Sequence, residues 1–413
     1  MRAHARAALA ACLSLWAAAA AAAAQVPQEP LAAQVVRAAW QAVRDHYFDE
    51  KFGGVPWDET LLQRYLQQAA APDADGYRIA AEMVGRLGDP LTAVIDPQAR
   101  RQLEAATPRV EVVGIGVRLS SGPEGYPLVR QVLPGGPAAR AGVWSGALVV
   151  GVDGQPTRGR TLDEVAARIR GPAGTAVRLE LERADGSRVS LTLTRQAVSW
   201  EPRAVSRVLE GNVGYLHLPH FAQGMETAAL AELRRLYRTR ALILDLRDSS
   251  GAGSYLTLSH IAGLLTDQPL GFWVTREGFV SLPAEKATTS DNPLVPAPTS
   301  ADRYDRPVAV LVDEVSAFGL LAFALRQMGR AVLVGRPTPS GAGELAAAYP
   351  LPGGGLVQVT TGRFYSMRGE PLVGPVVPDV TVPLDRAYLK AWESGQDPDV
   401  AQAIDLLRRR GAL

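Results

Sequence analysis

The sequence predicts an α/β protein built in three parts, because the spacing of its apolar residues changes twice along the chain. From residue 31 to about 106, apolar residues recur every three to four positions, as in LAAQVVRAAWQAVRDHYF, which indicates helices. From about 109 to 195 the period is two, which indicates short strands. From about 205 to 384, uninterrupted apolar strands such as ALILD and VAVLV alternate with helices, a pattern typical of a sheet covered on both faces.

The same changes of pattern predict where the domains begin and end. A chain of 413 residues is too long for one compact core. We expect a leader peptide over 1–24, a helical segment over 25–108, a β-rich module over 109–198, an α/β core over 199–390 and a closing helix over 391–413.

The charge balance excludes some partners. The 43 lysines and arginines are matched by 42 aspartates and glutamates, so no net field attracts nucleic acid. The sequence contains no metal-ligand spacing, and we expect no metal, no cofactor and no nucleic-acid partner. Nearly all the basic residues are arginines, since the lysines are only Lys51, Lys286 and Lys390.

The first 24 residues predict export. Arg2, His4 and Arg6 precede an apolar run that ends in small residues, which is the layout of a secretory signal peptide cleaved after Ala24. Two alternatives stay open, a retained membrane anchor and lipidation at Cys12. Without Cys12 the mature chain has no cysteine and tolerates an oxidising compartment. We therefore expect a periplasmic or cell-envelope location.

A Gly-x-Gly loop opens the β-rich module. In such a loop successive backbone N–H groups point the same way and form a nest that can hold the terminal carboxylate of a peptide. The strand that follows offers its edge to an added peptide strand. The residues of this predicted peptide-binding loop are Val113, Gly114, Ile115, Gly116 and Val117. The alternative interpretation is that these glycines only form turns.

Two further segments follow the loop, PGGPAARAG at 134–142 and GALVVGVDG at 146–154. In spacing and in composition the module resembles a bacterial PDZ domain. The resemblance implies a module that binds polypeptide C-termini.

Short motifs in a fixed order cover nearly the whole mature chain, from about 31 to 384. They are LGDP at 87–90, NVGY at 212–215, LILDLR at 242–247, Ser316, GRAVLVG at 329–335, GRFYS at 362–366 and PDV at 378–380. Their order and separation resemble the carboxyl-terminal processing (tail-specific) serine proteases. The resemblance implies a ClpP/crotonase-like α/β protease core with an inserted PDZ domain, and a serine nucleophile activated by a lysine base.

The resemblance places the nucleophile at Ser316, thirteen residues before Gly329. It also implies that the backbone N–H groups of Ala317 and of Gly251, in the turn DSSGAG, bind the oxyanion of the tetrahedral intermediate. The alternative is that Ser316 only caps the helix that follows it, as serines at such positions commonly do.

The sequence departs from the family at the catalytic base. The position of the lysine falls on Gly341 or Ala342, neither of which can accept a proton. Gly319 stands where the family usually has a glutamate, and Leu91 where tricorn-like relatives have a histidine. The residues left open as substitute bases are His217, His220, His260, Asp313 and Glu344. If the fold places a histidine or a buried carboxylate against the hydroxyl, the expectation of lost catalysis falls.

These observations lead to one main hypothesis and two alternatives. The main hypothesis is an exported protein of the tail-specific peptidase family that binds polypeptide C-termini or unfolded envelope proteins, with weak or lost proteolysis, because losing the base costs roughly six orders of magnitude in kcat. The first alternative is an active serine endopeptidase in which Ser316 uses a non-standard base. The second is a scaffold that assembles with an active homologue or an adaptor.

Overall fold

The computed structural model describes residues 29–105, 111–199, 203–249, 253–284 and 302–413. The leader peptide, Cys12, Gly251 and Lys286 lie outside the described residues. The chain divides into two compact units, of which the first reaches to Glu104 and includes Ala347–Val359, and the second contains the rest. In the described ranges no helix is long and apolar enough to cross a membrane.

The first unit is mainly helical, as the spacing of its apolar residues predicts. Its elements are helices α1 (Leu31–His46), α2 (Glu59–Ala69), α3 (Gly76–Gly85) and α4 (Pro97–Ala105) and strand β1 (Ala93–Ile95). Asp58 and Asp75 cap α2 and α3 by accepting hydrogen bonds from backbone N–H groups. Residues 356–358 pair antiparallel with β1, so a segment from much later in the chain completes this unit.

The β-rich module of the second unit contains a six-stranded antiparallel sheet. Its elements are β2 (Glu111–Gly114), β3 (Val117–Ser121), β4 (Pro127–Val132), α5 (Pro137–Arg140), β5 (Leu148–Val152), β6 (Gln155–Pro156), α6 (Leu162–Ile169), β7 (Ala176–Glu182), β8 (Arg188–Thr194) and β9 (Gln196–Ser199). The order β3-β4-β5-β7-β8 leaves β3 at an edge, while β6 pairs with β5 and β2 with β9. A capping box of Thr161 and Glu164 starts α6.

The α/β core is built on a sheet that is parallel except at one edge. Its strands lie in the order β10 (Val205–Leu209), β11 (Val213–His217), β12 (Ala241–Asp245), β15 (Val308–Val312), β16 (Ala331–Gly335) and β19 (Val380–Thr381). The edge strand β10 runs antiparallel to β11. Leu242 and Leu244 of β12 pack into one hydrophobic core and Ile243 into another. The sheet is therefore covered on both faces, which confirms the α/β prediction.

Five further helices and a second group of strands complete the set of described α-helices and β-strands. They are helices α7 (Met225–Arg234), α8 (Tyr255–Gly263), α9 (Gly319–Gln327), α10 (Arg386–Glu393) and α11 (Pro398–Arg409), and strands β13 (Gly271–Thr275), β14 (Gly278–Leu282), β17 (Glu344–Pro350) and β18 (Leu356–Ser366). The expected single closing helix over 391–413 is wrong, because the chain there forms the end of α10 and all of α11. Gly395, with φ of 82°, ends α10, and Asp397 and Pro398 start α11.

Candidate active site

The carboxyl ends of three neighbouring parallel strands bring the loops of the predicted site together. These strands are β12, β15 and β16, and they end at Asp245, Val312 and Gly335. Because the carboxyl ends of parallel strands meet at one edge of a sheet, this edge is where such folds commonly carry their sites. Ser316 lies in the loop between β15 and α9, so the fold places it at this edge.

The Ser316 side chain is enclosed by protein. Its Oγ lies 2.9 Å from Asp313 Oδ1 and 3.0 Å from the carbonyl oxygen of Leu246, and either can accept its proton. The same Oγ accepts a hydrogen bond from the backbone N–H of Asp313 at 2.9 Å. Only 1% of the residue is exposed. The hydroxyl is therefore hydrogen-bonded within the chain and shielded from a substrate.

The start of α9 differs from the expectation for Ser316 and Ala317. The helix begins at Gly319 with Phe318 at its N-cap, so the interpretation of Ser316 as the helix cap is wrong. The backbone N–H of Ala317 donates to the carbonyl oxygen of Ser249 at 2.9 Å. In this conformation the amide is already used inside the protein and is not free to bind an oxyanion.

The loop that carries the lysine in the family packs against the start of α9. A Cβ added to Gly319 would lie 3.3 Å from the Cβ of Ala342 and 3.0 Å from Thr338 Oγ1. The Thr338 hydroxyl is itself engaged, since it accepts a hydrogen bond from Val376 N–H at 3.0 Å. The loop is thus near the serine loop, as expected, but its alanine and glycine offer no group that takes up a proton.

Of the candidate substitute bases among the residues that the structure describes, Asp313 is hydrogen-bonded to Ser316, and the histidines and Glu344 are not. His217 Nε2 lies 3.3 Å from the carbonyl oxygen of Arg247, and His220 Nδ1 accepts from Ala222 N–H at 3.2 Å. No hydrogen bond joins these histidines, His260 or Glu344 to Ser316 Oγ in the described part of the chain. Leu91 belongs to the first unit, where its carbonyl oxygen accepts from Gln358. Asp313 is the candidate base that the structure brings against the serine.

The carboxyl group of Asp313 is buried beside the Ser316 hydroxyl. Besides that hydroxyl, its Oδ1 accepts from Val315 N–H at 3.1 Å and lies 3.4 Å from Asp248 N, and its Oδ2 lies 3.7 Å from the Arg130 guanidinium. Burial raises the pKa of Asp313 above its ordinary value, against the opposing effect of Arg130. A raised pKa makes the ionised carboxylate a stronger base, which bears on catalysis below.

Replacing Asp313 with asparagine is expected to change how stability depends on pH. Because the folded-state pKa is raised, Asp313 favours folding when protonated, below its ordinary pKa, and loses that contribution as pH rises through its raised pKa. The free energy of unfolding of the native chain relative to that of Asp313→Asn should therefore fall with rising pH. Urea unfolding of both proteins at a series of pH values from acid to neutral measures this.

The matched control is Asp185→Asn, in an exposed turn where the Ser187 side-chain and backbone hydrogen bonds lower the pKa of Asp185. The free energy of unfolding of the native chain relative to that of Asp185→Asn should rise with pH, which is the opposite trend to that expected for Asp313→Asn. Asp313 is also faced by Asp248, Glu314 and Arg130, which act on its titration together. If the Asp313→Asn comparison has the sign of the control, the Asp313 pKa is not raised.

Two arginines of the β-rich module bind Asp248, which lies in the loop that follows β12. Arg130 of β4 forms an ion pair with Asp248, with Nε 2.7 Å from Oδ2, and its guanidinium lies over the Trp392 ring at 4.6 Å from the centroid. Arg118 of β3 donates to the carbonyl oxygen of Asp248 at 2.9 Å. Sequence reasoning missed this contact, although a charged residue in the apolar strand PLVRQV was a signal for it.

A second buried ion network fills the carboxyl edge of the sheet. The Arg247 guanidinium lies 2.6 Å from Asp245, 2.7 Å from Asp397 and 2.7 Å from Asp399. Burial would raise the pKa of Asp245, but Arg247 holds it well below the ordinary range. Arg336 links Asp399 to Glu314 in the loop before Ser316. The edge thus carries fixed ion pairs, and the described residues contain no cluster suited to a metal ion.

The predicted peptide-binding loop precedes the edge strand β3. The carbonyl oxygens of Ile115 and Gly116 accept hydrogen bonds from Ala138 N–H at 2.8 Å and Leu133 N–H at 2.9 Å. Among the described residues, no acceptor takes the N–H groups of Ile115 and Gly116, although both residues are buried. Gly116 has φ of 77°, in the left-handed region that favours glycine. Two consecutive amides are therefore buried without an acceptor among the described residues.

The central sheet is covered on both faces and carries the serine loop at its carboxyl edge, and a small antiparallel module bears a Gly-x-Gly loop. These features define a PDZ-bearing protein of the serine-peptidase class. Peptidase family S41 matches residues 212–382, and the PDZ domain family matches residues 128–183. The chain belongs to the carboxyl-terminal-processing proteases of peptidase family S41.

The relatives match over most of their length. The chain is 30% identical over 387 residues to a carboxyl-terminal-processing protease of Picosynechococcus sp., covering 91% of this chain and 89% of the relative. It is 29% identical over 381 residues to one of Synechocystis sp., covering 89% and 85%. Among solved structures, the photosystem II D1 C-terminal processing protease matches with a TM-score of 0.56 and 25% identity, over 86% of this chain and 94% of that one. The resemblance and the fold it implies are confirmed.

Proposed function

We propose that this protein is an exported member of its family that binds polypeptide C-termini through its PDZ module and has weak or lost proteolysis. The loss of proteolysis is supported by the surroundings of Ser316. Its hydroxyl is enclosed, and Gly341 and Ala342 occupy the position of the family's base. Removing the base from a serine hydrolase lowers kcat by roughly six orders of magnitude. Because the Ser316 hydroxyl is buried and hydrogen-bonded, breaking these contacts before the attack adds to the activation free energy.

The peptide-binding part of the proposal is supported by the loop before β3. A peptide that pairs with the edge of β3 would bring its terminal carboxylate towards the amides of Ile115 and Gly116. Buried amides without acceptors are unfavourable, so a ligand carboxylate would satisfy them. The proposed partners are polypeptide C-termini and unfolded proteins of the cell envelope, which the predicted leader peptide would place in the same compartment.

One observation argues against lost proteolysis and favours a second function, an active serine endopeptidase with an unusual base, because a buried carboxylate lies against the hydroxyl. Asp313 is a buried carboxyl with a raised pKa, and its Oδ1 lies 2.9 Å from Ser316 Oγ, within reach for proton transfer. For this site to work, Ser316 would have to leave its contacts with Leu246 and Asp313 N–H, and Ala317 N–H would have to leave Ser249.

Binding and cleavage are measured with the mature chain and a fluorescent peptide that carries a free C-terminal carboxylate. We expect binding in fluorescence anisotropy, about tenfold weaker binding of the C-terminally amidated peptide, no cleavage by mass spectrometry and no labelling of Ser316 by a fluorophosphonate. Gly116→Ala should weaken binding by a similar factor, because a β-carbon strains the left-handed backbone of the loop.

The matched control is Gly154→Ala, which carries the same backbone strain at φ of 76° in the turn between β5 and β6. It should leave the affinity unchanged. Equal affinity for the amidated peptide would refute the capture of C-termini. Cleavage that Ser316→Ala abolishes would refute the loss of proteolysis, and its loss in Asp313→Asn as well would establish the second function.

A further inference from the structure

We propose that a cleft in the first unit binds short zwitterionic peptides of two or three residues. The cleft has a volume of about 460 Å³, within the range of small-molecule sites. It lies where α3 and α4 begin, beside β1. Four charged side chains line it, two arginines and two aspartates, and they surround an apolar surface to which Ala81, Val94 and Pro97 contribute.

The two arginines of the cleft have no protein partner in the described part of the chain. Arg78 on α3 and Arg101 on α4 are exposed, and no carboxylate of the described residues lies within ion-pair distance of either. This differs from Arg37 in the same unit, which is paired with Glu29 at 2.9 Å. A guanidinium fork matches the two oxygens of a carboxylate, so each of these arginines offers a place for a peptide C-terminus.

The two aspartates use only half of their hydrogen-bonding capacity. Asp75 Oδ1 accepts from backbone N–H groups at the start of α3, at 3.0 and 3.1 Å, and Asp96 Oδ1 accepts from those at the start of α4, at 2.7 and 2.8 Å. Across the described residues, neither Oδ2 accepts a hydrogen bond. These outer oxygens can accept from the ammonium group of a peptide N-terminus.

The equal numbers of positive and negative side chains in the cleft favour a zwitterionic ligand. With two positive and two negative groups, the lining has no formal net charge, so a simple anion or cation attracted by one pair is repelled by the other. A zwitterion meets both pairs favourably. Tyr77 forms a fixed part of the wall, because its hydroxyl donates to the Pro352 carbonyl oxygen at 2.5 Å and accepts from Gly355 N–H at 3.0 Å.

The test is isothermal titration of the full chain with the dipeptide Ala-Leu. We expect saturable binding, and about fivefold weaker binding of N-acetyl-Ala-Leu, of Ala-Leu amide, and of Ala-Leu to Arg78→Gln and Arg101→Gln, as expected for losing one exposed charge contact. Arg86→Gln is the matched control, since Arg86 is also exposed at the end of α3 but does not line the cleft. Its affinity should equal that of the native chain.

The N-acetylated dipeptide separates this cleft from the PDZ loop, which needs only a free carboxylate. If N-acetyl-Ala-Leu binds as tightly as Ala-Leu and the arginine variants bind both normally, the ligand occupies the PDZ loop and the proposal is overturned. Absence of binding at millimolar concentration, or equally tight binding of inorganic phosphate, overturns it too. Circular dichroism should be the same for all variants, because the replaced side chains are exposed and form no ion pair within the described residues.

Discussion

Arg247→Ala is expected to lower the free energy of unfolding by about 3–5 kcal/mol, the usual cost of leaving buried charges unpaired. The Arg247 guanidinium is almost fully buried and binds the carboxylates of Asp245, Asp397 and Asp399. Removing it leaves three negative charges together with little solvent. Because Asp397 and Asp399 start α11, the change should also loosen that helix from the sheet.

The measurement is urea unfolding at neutral pH, followed by circular dichroism. Arg303→Ala is the matched control, because Arg303 also binds two carboxylates, those of Asp267 and Asp305, but on the surface. Exposed pairs contribute about 0–1 kcal/mol, so its midpoint should move little. If Arg247→Ala does not fold, Arg247→Lys, which keeps the charge and loses the planar fork, should fold with a smaller loss. Equal midpoints for Arg247→Ala and the control would contradict the prediction.

Arg130→Ala is expected to cost about 3 kcal/mol and to release the loops around Ser316. Arg130 pairs with Asp248 at 2.7 Å, lies 3.7 Å from Asp313 and stacks on Trp392. These contacts join β4 of the PDZ module to the loops that follow β12 and β15. Without the guanidinium, the buried Asp313 and the half-buried Asp248 lose the positive charge between them, and hydrogen exchange of residues 246–249 and 313–317 should accelerate.

Hydrogen exchange followed by mass spectrometry reads out these loops separately from global unfolding. The matched control is Arg158→Ala in the same module, where the guanidinium lies over the Tyr126 ring at 5.6 Å and donates to the Glu124 carbonyl oxygen on the surface. It should leave exchange in both loops unchanged. Unchanged exchange in Arg130→Ala would mean that the module does not hold these loops in place.

Some features of the candidate site could be predicted because they depend on residues near one another in the chain. The order of motifs identifies Ser316 as the position of the family nucleophile, and the residues at 341 and 342 indicate that the family's base is missing. The Gly-x-Gly loop predicts a nest of amides for a carboxylate, and carboxylate binding there stays a prediction. Asp313 is among the candidate bases in the sequence, but only the fold distinguishes it from the histidines by bringing it against the hydroxyl.

By itself the sequence determined the α/β class, the PDZ module and the family, because the period of apolar residues and the spacing of motifs are local properties. The tertiary structure alone decided which charges meet. Arg130 and Asp248 are 118 residues apart in the chain, and Arg247 and Asp397 are 150 apart. It also decided that Ser316 is enclosed and that residues 347–359 complete the first unit. Burial and pairing across such separations arise only when the chain closes on itself, so no local pattern records them.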